Sequence, residues 1–79
     1  MNIMNTKLIE QITTMINTLN SLNIKNNSED DQQVNTIILY ANAMKQILNE
    51  GATINMDKFN SMLSKRQEEA NSLITKWNK

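Results

Sequence analysis

The chain has 79 residues with no Cys and no His, and its eight basic side chains balance eight acidic ones to give zero formal charge. So short a chain builds a core that barely offsets its conformational entropy, and disulfides, a structural metal or a partner usually supplement it. With no Cys or His the first two routes are closed, which leaves a partner protein as the favoured expectation.

From Leu8 the apolar positions run Leu8, Ile12, Met15, Leu19 and Leu22, in steps of four and three, with Ile9 and Ile16 widening the stripe. That heptad spacing predicts a first helix over about residues 5–23, with Asn5 or Thr6 as its cap. Asn23, Asn26 and Asn27 favour turns and predict its end. Ser28-Glu-Asp-Asp31 reads as the next start signal, with Ser28 capping, Asp31 at the fourth position of a capping box and three acids compensating the helix dipole.

The second helix, predicted over about residues 29–50, is the segment the rest of the chain is arranged to cover. Val34, Ile37, Ile38, Tyr40, Ala41, Met44, Ile47 and Leu48 span roughly half of its circumference, wider than the stripe of about 100° on an ordinary surface helix. A stripe that broad reaches two neighbours. Gly51, the sole glycine, sits where a left-handed C′ residue is needed.

Asn55 then caps a third helix over about residues 56–77, with Ile54 spaced to staple onto Phe59. Met56, Phe59, Leu63, Ala70, Leu73 and Trp77 repeat the three-and-four spacing, interrupted only by Arg66. Short connections make neighbouring helices antiparallel, so the expected architecture is all-α: one domain, an up-down-up three-helix bundle. An extended helical hairpin completed by oligomerisation is the alternative, because heptad spacing suits either outcome. In the bundle Tyr40 lies level with Arg66, whose guanidinium is expected to stack on the ring or hydrogen-bond to it, with Glu10 as an ionic partner. Trp77 comes towards Leu22 and Val34.

Catalysis has little to work with: no His base, no thiol nucleophile and no Gly-rich phosphate loop. No catalytic, cofactor-binding or metal-ligating residue is assigned, and no cofactor or small-molecule substrate is expected. The adjacent Glu68 and Glu69 diverge by about 100° on a helix and form no carboxylate pair aimed at one atom. No uncharged run approaches the roughly 20 apolar residues of a membrane span, and Met1-Asn-Ile-Met-Asn-Thr-Lys7 has no leader-like apolar run, so a cytoplasmic protein is expected. The Asn-rich, Pro-free composition suits an AT-rich bacterial or phage genome.

The functional expectation is a small non-enzymatic protein–protein interaction module, such as an adaptor, a chaperone-like protein or an inhibitor, that binds another protein or itself as a homodimer or heterocomplex. Its contact residues are read as Leu39, which faces away from the main stripe, with Tyr40, Ala43, Met62, Arg66 and Trp77. The alternative is a helix-turn-helix-like DNA-binding regulator. Residues 47–66 read as helix, glycine turn, helix, with Lys58, Asn60, Ser61 and Lys65 on the second helix, and zero net charge argues against it. In size, heptad helices and the acidic lead-in Glu29-Asp-Asp-Gln-Gln33 to Leu39, the chain resembles the small helical co-chaperones and adaptors of bacterial secretion systems. That resemblance implies a helical surface that shields an apolar helix of a self-assembling subunit.

Overall fold

A computed structural model describes residues 3–51 and 53–78 of the chain; Met1 and Asn2, which open the segment read for a leader, lie outside them. Three helices follow one another: α1 (Ile3–Asn20), α2 (Ser28–Glu50) and α3 (Met56–Trp77). Each packs against both others, which gives the all-α three-helix bundle and not the open hairpin. The long dimension is 41 Å against 18 and 17 Å across, as expected for rods lying side by side.

The helix ends follow from their side chains. α1 is already formed at Asn5 and Thr6, so neither residue caps it, and it stops three residues before Asn23. The Ser21 hydroxyl donates to the Thr18 carbonyl at 2.7 Å, competing with the backbone for an acceptor the helix needs. Asn26 then turns the chain at φ 55, a left-handed conformation that Asn tolerates better than most residues.

The cap of α2 is Asn27, one residue before the expected Ser28. Its Oδ1 accepts from the Asp30 N–H at 3.0 Å, and its Nδ2 donates to Asp30 Oδ2 at 3.1 Å. The reciprocal pair is therefore Asn27 and Asp30, not Ser28 and Asp31. Gly51 closes α2 at φ 67 and donates to the Leu48 carbonyl. Asn55 caps α3 by accepting from the Lys58 N–H at 3.1 Å.

The core is drawn evenly from the three seams. Ile12, Met15, Ile16 and Leu19 come from α1, Val34, Ile37, Ala41, Met44 and Leu48 from α2, and Phe59, Leu63, Ala70 and Leu73 from α3. Ile54 packs on this cluster beside the start of α3, where the staple places it. α2 departs from expectation in one respect: Tyr40 and Ile47 belong to its broad apolar stripe but remain 45% and 36% exposed. The two neighbouring helices cover Val34, Ile37, Ala41, Met44 and Leu48, and the outer part of the stripe is left over.

Candidate protein interface

The α2–α3 pair carries the surface of interest. Arg66 packs over Tyr40 midway along it, and Trp77 at the end of α3 reaches Asp30 at the start of α2. Each step forward on α2 is thus matched by a step back on α3, the register of two antiparallel helices in contact along their length.

On α2 two seams run in parallel. Val34, Ile37, Ala41, Met44 and Leu48 point into the core, while Thr36, Tyr40, Ala43 and Ile47 repeat the same spacing about 110° further round. This second seam faces out. With Met62 at 51% exposure across on α3, it forms an apolar strip along the α2–α3 junction, while Leu39, at 71% exposure, stands on the side of α2 turned directly away from the core. Between the two helices the strip dips into a cleft of about 240 Å³ lined by Tyr40, Met44, Met62, Lys65 and Arg66.

Arg66 forms the inner wall of that cleft. Its guanidinium carbon sits 4.9 Å from the centre of the Tyr40 ring, the expected cation–π arrangement, and its side chain is only 16% exposed. Its ionic partner differs from expectation. Glu69, one turn along α3, brings Oε1 to 3.0 Å from Arg66 Nε, while Glu10 lies on the opposite side, in the groove between α1 and α3. Glu69 stands off the N–H direction, so the covered Arg66 Nε has charge neutralisation without a hydrogen bond.

Comparisons with protein-family models, curated proteins and solved structures find no match.

Of the six residues read as contacts, Tyr40, Met62 and Arg66 line the cleft, Ala43 follows Tyr40 one turn along the outer seam of α2, and Leu39 is exposed on the side of α2 away from the core. Trp77 stands apart. It packs partly buried against the core at the end of the bundle, and its indole N–H donates to Asp30 Oδ2 at 2.9 Å. The same oxygen lies 2.8 Å from Lys76 Nζ. Hydrogen bonding to Lys76 and then to Trp77 holds the Asp30 carboxyl below its ordinary range, against the opposing effect of partial burial. Asp30 therefore belongs to an end latch tying α2 to α3. Dipole compensation alone, the sequence reading of the acidic triplet, understates its role.

Three residues of the face are not legible from sequence as contacts. By spacing Ile47 belongs to the core stripe, although it lies one heptad beyond Tyr40. Lys58 and Lys65 read from the sequence as nucleic-acid contacts. Their spacing of seven is the signal that sets them on one edge of α3, flanking Met62.

The wider groove between α1 and α3, about 770 Å³, is lined by Lys7, Glu10, Gln11, Thr14, Gln67 and Asn71 around Met15 and Ile74.

Proposed function

We propose that the protein is a small non-enzymatic interaction module, an adaptor, chaperone-like protein or inhibitor, which binds a partner protein through the outer seam of α2 and the facing edge of α3. The observation that carries this reading is the run of Tyr40, Ala43 and Ile47 along α2 with Met62 across the cleft, and Leu39 exposed on the adjoining side of α2, although the same helices have a filled core beneath. Single exposed apolar residues are ordinary on any protein, but a run at helical spacing beside a cleft is the form a helix-in-groove contact takes. Binding would remove the strip from water at roughly 25 cal/mol per Å², less the cost of ordering both partners. A cytoplasmic setting in a bacterium or phage suits the composition, and a co-chaperone of a secretion system is one form of this activity.

The test compares wild type with Leu39→Asp and Met62→Asp in pull-downs from the native host, alongside light scattering of the purified protein. A partner, or a second copy, should be lost from both variants while their unfolding free energies stay within about 0.5 kcal/mol of wild type, as for surface substitutions generally. Retention of every partner by both variants would remove the reading. The rival DNA-binding regulator draws on Lys58 and Lys65, both exposed on α3. A steep loss of DNA affinity with rising salt would select it.

A further inference from the structure

Arg66 is ion-paired but not hydrogen-bonded. Its side chain is only 16% exposed, yet it donates to no acceptor among the described residues. Glu69 meets the Nε edge alone, at 3.0 Å and off the N–H direction. Buried polar groups are almost always hydrogen-bonded, so a covered guanidinium without an acceptor calls for a reason. The fold supplies none, because an apolar side chain of similar length fills this seam position without desolvating a charge. What lies beside Arg66 is the cleft of about 240 Å³ between α2 and α3, lined also by Tyr40, Met44, Met62 and Lys65. Both charges in that lining are positive. Glu69, with Lys45 and Glu50 of α2, stands outside it. Lys65 is exposed and belongs to neither of the ion pairs among the described residues.

We propose that this cleft is a binding site for a carboxylate carried on a short apolar body. The Arg66 guanidinium and the Lys65 ammonium take the carboxylate oxygens through charge-assisted hydrogen bonds, which are stronger than those to a neutral group. Met44 and Met62 flank the attached apolar atoms, and the exposed, unbranched Met62 side chain adapts to their shape. At about 30 Å³ per water in the liquid, the cleft has room for about eight waters, the bulk of a small monocarboxylate. Inorganic phosphate fits less well. It brings no apolar atoms to set against the methionines, and the cleft lies midway along α2 and α3, away from any helix N-terminus. A free carboxylate and an acidic side chain of a docked protein present the same chemistry here. The site does not depend on a protein docking on the strip, because its cavity and both of its charges belong to this chain.

The experiment titrates the full chain with benzoate and hexanoate and follows amide chemical shifts, with benzamide and inorganic phosphate as controls. Both carboxylates should give saturable shifts centred on residues 40–44 and 62–66. They should bind about tenfold more tightly than benzamide or phosphate. Arg66→Met keeps the stem over the core edge and should abolish saturable binding. Lys65→Gln, at an exposed position, should weaken it about threefold while the thermal midpoint stays at the wild-type value. Benzamide or phosphate binding as tightly as benzoate would overturn the proposal, as would carboxylate shifts that miss the cleft or persist undiminished in both variants. A second arm separates the sources. Benzoate that displaces the partner recovered in the pull-down assigns the carboxylate to that partner's acidic side chain, and a partner retained beside bound benzoate assigns the cleft to a free ligand. Failure of the carboxylates to bind leaves the docking reading intact, since Leu39→Asp tests that reading without touching the cleft.

Discussion

Arg66 is the residue most at odds with its surroundings. It occupies a position of the α3 seam at which its neighbours Leu63, Ala70 and Leu73 are buried, and it satisfies its charge with the Tyr40 face and Glu69. A cation in such a place is weak evidence for stability, because an apolar side chain of similar length fills the same volume without desolvating a charge. Arg66→Met should hold the urea-unfolding free energy within about 1 kcal/mol of wild type, whereas Arg66→Ala, which also deletes the stem covering the core edge, should lose about 1–2 kcal/mol. Equal losses for the two variants would show that the charge itself supports the fold.

Asp30 is the opposite case, a charge the fold uses. One oxygen collects the Lys76 ammonium, the Trp77 indole N–H and the Asn27 amide. Its carboxyl is more acidic folded than unfolded, so deprotonation favours the folded state. That contribution is fully present above the ordinary carboxylate value of 3.8 and disappears as pH falls through the lower folded value. Between about pH 6 and about pH 2, Asp30→Asn should lose less stability than wild type in urea titrations. Parallel pH profiles for the two proteins would contradict the latch.

At the scale of elements, the caps are the features that fix the register of the bundle. Gly51 has open space where a Cβ would be, so Gly51→Ala tests backbone conformation alone. With φ at 67 it should cost about 1 kcal/mol in denaturant unfolding. Asn27→Ala removes the cap of α2 and should cost about as much, with a further loss because Asp30 forfeits one of its donors.

The existence of three helices, the glycine stop, the Asn55 cap and the Tyr40–Arg66 stack were all legible from heptad spacing and chain-length registers. What escaped was of two kinds. At helix ends several polar residues compete for one cap, and Asn27 and Ser28 differ by a single residue in a run where either side chain has the right chemistry. Contacts distant in sequence, such as Asp30 with Trp77 and Lys76, depend on the exact rotation of two helices, which periodicity fixes only to within tens of degrees. The outer seam of α2 was readable as apolar residues but not as surface. Its exposure depends on how much of a wide stripe two neighbours can cover.

For the whole molecule, three helices with short connections enclose one core, and nothing in that core requires Leu39, Tyr40, Ala43, Ile47 or Met62 to be apolar. Among the described residues, no helix is long and apolar enough to cross a membrane. The function we propose assigns the strip to a partner protein. The measurement that bears most directly on this is amide chemical-shift mapping of the full chain titrated with the partner recovered in the pull-down. Perturbations confined to about residues 36–47 and 58–66, with α1 silent and the bundle intact, are the predicted result. Shifts centred on α1 or on the polar groove between α1 and α3 would contradict the assignment of the docking face.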